Sequence, residues 1–150
     1  RIRPRLVELP NTFVIQTMSH TCTNALVRCI DFRLEPAIQK YLNDNNLAGD
    51  TDIIAFAGAV KDINDGLAVA GQLELSHQLH ATKTIILMNH TDCGGYGGRA
   101  AFEGREAEWE HHVAELNKAK EAMSAMLPDV EIKLAIADVL DDGSVEIKSV

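Results

Sequence analysis

The chain has no apolar run of membrane-spanning length, no surplus of basic charge, no even set of cysteines, and no internal repeat, linker or low-complexity tract. Each absence removes a class of protein. Without some twenty consecutive apolar residues no helix is expected to cross a bilayer. With 14 Lys and Arg against 22 Asp and Glu, a formal charge of -8, and no basic cluster, a nucleic-acid partner is not expected. Three cysteines, Cys22, Cys29 and Cys93, are too few and too odd for a disulfide framework, so metal-binding or catalytic thiols become the question they raise. The opening "RIRPRLVELPNTF" lacks the apolar stretch and small-residue cleavage site of a secretory signal, which points to the cytoplasm.

What is present is the balance of an ordinary globular protein: 150 residues, 46% hydrophobic and 24% charged, enough for one domain over 1–150 with a single core. Residues 25–30, "ALVRCI", read as a short strand, followed by a helix in "EPAIQKYLNDNNL" with Pro36 in its first turn and Ile38, Tyr41 and Leu42 on one face. "DIIAFAG" reads as a second strand. Asp65 is placed to cap a helix through "GLAVAGQLELSHQLH", with Leu67, Ala70, Leu73 and Leu79 inward. "TKTIILMNH" is a third strand whose continuous apolar run suits burial on both faces. Trp109, Val113, Leu116, Met123 and Leu127 mark a long amphipathic helix, "VEIKLAIADVL" a fourth strand, and Asp142-Gly143 a hairpin turn into "SVEIKSV". The expected fold class is α/β: a mostly parallel central sheet flanked by helices, with an antiparallel C-terminal edge hairpin. Residues 1–24 carry no clear pattern and are expected as an N-terminal arm on a neighbouring subunit or as a loose terminus.

Chemistry concentrates where strands end. In an open parallel sheet, functional groups gather at the carboxyl ends of strands beside the point where strand order reverses. His90 stands at such an end and Cys29 at another. If the first and third strands are neighbours, the two converge, and Cys93 joins them after a short turn that Gly94 and Gly95 allow. Two thiolates and an imidazole form a donor set that zinc prefers. In an extended "CIDFR", Cys29, Asp31 and Arg33 would share one side and Ile30 and Phe32 the other. Asp31 would then either take the fourth position on the metal or be held by Arg33 in a bidentate pair, leaving that position to water.

The segments "CIDFR" and "HTDCG" resemble the C-x-D-x-R and H-x-x-C motifs of the β-class carbonic anhydrases, a likeness that runs from about Ala25 to Gly95 and more faintly into "IADVLDDGSVEI". The resemblance implies reversible hydration of carbon dioxide to bicarbonate and a proton by a zinc-bound hydroxide. It further implies Zn2+ on Cys29, His90 and Cys93, an Asp31–Arg33 catalytic dyad, and a homodimer or higher homo-oligomer with sites near the subunit interface. Because two thiolates give zinc more charge than two imidazoles, the bound water should be less acidic than in a three-histidine site, and activity should rise toward alkaline pH.

The chain departs from the family's usual R-N-A-G in "AFAG", residues 55–58. Gly58 is kept, while Phe56 makes the substrate approach apolar. That suits carbon dioxide and equally suits carbonyl sulfide or carbon disulfide, which relatives on this fold hydrolyse. Phe56, Gly58 and Tyr96 are therefore the expected substrate-side residues. A third reading is a non-catalytic zinc module with Asp31 closing the site. "CGGYGG" lacks the Lys-Ser/Thr ending of a phosphate loop, so it does not signal nucleotide binding. Cys22 and His20 receive no role. His77 and His80 are expected as partly exposed helix positions, His111 and His112 on a solvated helix face, and Asp92 as a residue that orients its own loop.

Overall fold

A computed structural model describes residues 20–150; the expected N-terminal arm lies almost wholly outside the described residues. Five strands form one sheet in the order β2-β1-β3-β4-β5: β1 Asn24–Arg28, β2 Thr51–Ala55, β3 Thr84–His90, β4 Glu131–Val139 and β5 Val145–Ser149. β1 runs parallel to β2 and β3, β3 runs parallel to β4, and β5 returns antiparallel to β4 through the turn at Asp142-Gly143. The expected fold class is therefore observed.

Sequence chemistry accounts for the strands. Ile85, Ile86, Leu87 and Met88 are almost completely buried, as are Ala25, Leu26 and Val27 beside them. A central parallel strand is covered on both faces, which is why its sequence is apolar without alternation. Burial of each large side chain contributes roughly 1.5–3 kcal/mol. The edge strand β2 has no such cover, and its Ile53 is about half exposed.

The helices are α1 Glu35–Asp44, α2 Val60–Asn64, α3 Val69–His80 and α4 Arg105–Met126. α1 begins at Glu35-Pro36 and buries Ile38 and Leu42. The single helix expected from Asp65 onward is corrected by the structure. Gly66 takes φ +71 and breaks the chain between α2 and α3. The carboxylate that receives the Val69 N–H is Asp62, at 2.6 Å, whereas Asp65 pairs with Lys61 at 2.6 Å. Leu67, expected inward, lies in that break and is exposed; Leu73 is buried as expected, with Ala70 and Leu79 half-buried.

α4 packs on β3 and β4 and buries Glu108, His112, Leu116, Ala119 and Met123. Trp109 and Val113, the expected start of this stripe, are only half-buried. The inward line of the first two turns instead carries a carboxylate and an imidazole, so His112 does not lie on the solvated face expected for it. Between β1 and β3 the chain order reverses, since β2 was laid on one side of β1 and β3 on the other. The carboxyl ends of these two strands carry Cys29 and His90.

Candidate metal centre

β1 ends at Arg28, which places Cys29 one residue beyond the ladder, and His90 is the last residue of β3. Asp92, at φ +56, turns the chain so that Cys93 comes back beneath them. The two Sγ atoms are 3.9 Å apart, and the ligand atoms of Cys29, His90 and Cys93 all lie within 4.8 Å of one another. All three residues are buried. This is the convergence expected from the sequence, and among the described residues no other His, Cys, Asp or Glu cluster has comparable metal-binding spacing.

The donors are prepared in a particular protonation state. The Thr91 carbonyl, an acceptor only, lies 2.8 Å from His90 Nδ1, so Nδ1 carries the proton and Nε2 presents a lone pair. Nε2 is buried without a partner. Cys93 and Cys29 share a hydrogen bond that lowers the pKa of Cys29 against its burial, with help from His90 and from the Gly58 N–H, 3.4 Å from the sulfur. The same bond, together with burial, raises Cys93. Two sulfurs in contact, facing a buried imidazole nitrogen that has no partner, fit a soft divalent cation. Sulfurs at about 2.3 Å from a tetrahedral zinc stand about 3.8 Å apart, close to the spacing observed.

Glycine lets the Cys93 loop meet the loop that follows β2. A Cβ at Gly95 would stand 2.8 Å from Gly58 Cα and 3.0 Å from Gly58 N, so the two backbones touch where a side chain would separate them. Gly58, expected on the substrate side, has its amide on the Cys29 sulfur.

Asp31 and Arg33 lie beside the cluster in a geometry other than an extended chain. Residues Phe32–Leu34 form a turn of 3₁₀ helix capped by Asp31, whose Oδ1 accepts the Arg33 N–H at 3.0 Å. Arg33 then folds back, with Nε at 3.1 Å from both carboxylate oxygens and Nη2 at 2.7 Å from Oδ2. These bonds hold Asp31 below the usual carboxylate range and its partner Arg33 above its own. Asp31 Oδ2 is 3.9 Å from His90 Nε2. Ile30 and Phe32, expected only to face away from Cys29, Asp31 and Arg33, are exposed to solvent, and the half-exposed Phe56 lies at the same end of the sheet, its N–H on the Arg28 carbonyl.

The other guanidinium edge of Arg33 reaches Asp92, expected only to orient its own loop. Nη1 donates to Asp92 Oδ2 at 2.8 Å and Nη2 to the Asp92 carbonyl at 2.9 Å. Asp92 Oδ1 accepts the Arg99 N–H at 3.0 Å, and the Asp92 N–H goes to the carboxylate of Glu108. Further back, Thr91 donates its hydroxyl to the buried Asp138 at 3.1 Å. Asn89 accepts the Val60 N–H at 3.3 Å and donates to His112 Nδ1 and to the Tyr96 hydroxyl, both at 3.3 Å. The Tyr96 ring packs edge-on against His111 and His112.

A family model described as "Putative carbonic anhydrase" matches residues 19–146. The chain belongs to that family. Its relatives include two uncharacterized rickettsial proteins. One, from Rickettsia conorii, is 29% identical and is matched over 93% of this chain and 78% of its own length. The other, from Rickettsia bellii, is 28% identical over 88% of this chain and 84% of its own length. In fold the chain is similar to beta-carbonic anhydrase isoform I of Trichomonas vaginalis, with a TM-score of 0.55 and 15% identity over 93% of this chain and 87% of that one. Among the described residues no helix is long and apolar enough to cross a membrane.

Proposed function

We propose that the protein is a zinc-dependent carbonic anhydrase interconverting carbon dioxide and bicarbonate. The observation that carries this reading is the orphaned His90 Nε2, converging with two cysteine sulfurs 3.9 Å apart, beside a carboxylate already occupied by an arginine. Cys29, His90 and Cys93 are the residues that would hold zinc. When bound there, zinc supplies a Lewis acid that makes water acidic enough to act as a nucleophile near neutral pH.

The remaining work belongs to the chain. Asp31, kept ionised by Arg33, is a weak base with a well-placed acceptor. Its Oδ2, 3.9 Å from His90 Nε2, would accept a hydrogen bond from a water in the fourth position, and the proton lost from that water would leave to solvent or buffer, since Asp31 stays ionised. Both Asp31 oxygens are engaged by Arg33, which favours a water-filled fourth position over closure by Asp31. Phe56, with Gly58 behind it and Tyr96 toward α4, forms the substrate side. Ile30, Phe32 and Phe56 leave apolar side chains exposed at the end of the sheet that carries the centre, and a second copy of the chain is the occupant that would cover them. The protein thus works as a homodimer or larger homo-oligomer.

Stopped-flow hydration of carbon dioxide, with and without chelator, tests the assignment: a zinc-loaded protein with no rate above buffer overturns it. The exposed Phe56 favours one second reading, hydrolysis of carbonyl sulfide or carbon disulfide at the same centre. Sulfide release exceeding the hydration rate would select it.

A further inference from the structure

Glu108 touches neither the metal-binding atoms nor Asp31, yet it is a carboxylate with no solvent exposure on a helix face otherwise lined by His112, Leu116, Ala119 and Met123. Such burial is unfavourable unless the charge is matched by donors. The donors are the Asp92 N–H and, at 3.3 Å, Arg99 Nε. Arg99 in turn donates to the Val139 carbonyl and to Asp141, so the Glu108 contact is fixed to the end of β4 as well as to α4.

Asp92 spends every polar group it has. Its N–H is on Glu108, Oδ1 on the Arg99 N–H, and Oδ2 and the carbonyl oxygen on Arg33. Its φ of +56 lies in the left-handed region, which aspartate tolerates better than most side chains, and these four contacts hold it there. A guanidinium is planar and rigid, so fixing one edge sets the direction of the other. The edge fixed by Asp92 leaves Nε and Nη2 aimed at Asp31.

From this chain of contacts we infer that Glu108 is a positioning residue: by anchoring the Asp92 turn it locks Arg33, and through Arg33 it holds the Asp31 carboxylate toward the metal centre. The inference rests on the functional reading above for its effect on rate, while its effect on Arg33 can be read without any turnover.

The experiment uses the full-length, zinc-loaded, 15N-labelled protein. In the wild type the Arg33 Nε–H, bonded to Asp31, gives a resolved cross-peak. Glu108→Gln halves the acceptor capacity facing Arg99 and the Asp92 amide, and is expected to shift or broaden that peak. It is also expected to lower kcat/KM for hydration by about 10- to 100-fold, the range that outer partners of a metal centre command. Asp92→Asn, at a partly exposed position that does not threaten the core, is expected to move the same peak and lower the rate to a similar extent. Because both act through Arg33, the double variant should be within about threefold of the worse single one. A folded Glu108→Gln protein with a lower melting temperature but an unchanged Arg33 peak and rate would reduce Glu108 to a packing role and overturn the inference. So would losses that multiply in the double variant. If Glu108→Gln does not fold, an unmoved Arg33 peak in Asp92→Asn overturns it equally. Absence of any wild-type hydration would reject the carbonic anhydrase reading and leave the Arg33 peak to decide the positioning role.

Discussion

The two ends of the sheet use the same residue types to opposite effect. At the amino end, Asp52 Oδ2 accepts from Ser76 Oγ and pairs with His80 Nδ1, each at 2.7 Å. Ser76 and Thr82 share a hydrogen bond at 2.7 Å, the Cys22 thiol donates to the Asn24 carbonyl at 3.2 Å, and the His20 ring packs on His80. None of the buried atoms without a partner lies in this group. At the carboxyl end, Cys29, Cys93 and His90 have one another, and His90 Nε2 has nothing. Histidine, cysteine and aspartate close a network at one end and leave a valence open at the other. What separates the two clusters is an unpartnered nitrogen that converges with two sulfurs at one end and has no counterpart at the other.

The sharpest break of that comparison is a ligand substitution. Cys29→Ser or Cys93→Ser should lower zinc affinity by more than the about 10- to 100-fold that loss of an outer partner costs, measured by competition with a chelator. Cys22→Ser should leave zinc content at the wild-type level; a fall in both would erase the distinction between the two ends. Next in size is the dyad. Asp31→Asn should keep the metal and lower kcat/KM by about 10²-fold, the lower range for lost proton handling. Stopped-flow rates per bound zinc decide, and an unchanged rate would leave Asp31 with no part in the reaction.

The third prediction concerns pH. Burial pushes His112 down to about 4, so it enters the core neutral. Between the ordinary histidine value and that one the unfolded chain binds more protons than the native one, and stability falls as the pH is lowered through this window. The loss is about 3 kcal/mol, seen in urea melts at pH 7 and pH 4. His112→Phe should remove most of the slope, and an undiminished slope would assign it to another group. The smallest effect is expected at the closed end. Burial alone would raise Asp52, but its bonds to Ser76 and His80 outweigh it and the net shift is downward. Asp52→Asn should cost about 1–2 kcal/mol in chemical denaturation, with the hydration rate per zinc unchanged.

Much of this is legible in the sequence. The run Ile85–Met88 announces a central strand because burial on both faces leaves no polar alternation, and Cys29, His90 and Cys93 follow from placing reactive side chains at strand ends. Asp65 misled because a capping residue is judged by its neighbours in sequence, whereas Asp62 reaches Val69 across a break made by Gly66. The extended geometry assumed for "CIDFR" yielded to a turn in which Asp31 caps its own chain. Glu108, Arg99 and Asp138 stayed hidden because each meets its partner across 9 to 47 residues, where periodicity carries no information. A signal did exist for Glu108 and His112. They stand eight and four residues before Leu116, on the same helix line as the buried stripe, and a carboxylate in that register implies donors waiting beneath it.

The near-contact of Gly95 with Gly58 gives the molecule a hidden lever. A methyl group at position 95 would act as a wedge, lifting the residue-58 amide away from the Cys29 sulfur without altering any coordinating atom. One of the contacts on that sulfur is thus held in place from a loop sixty-six positions downstream.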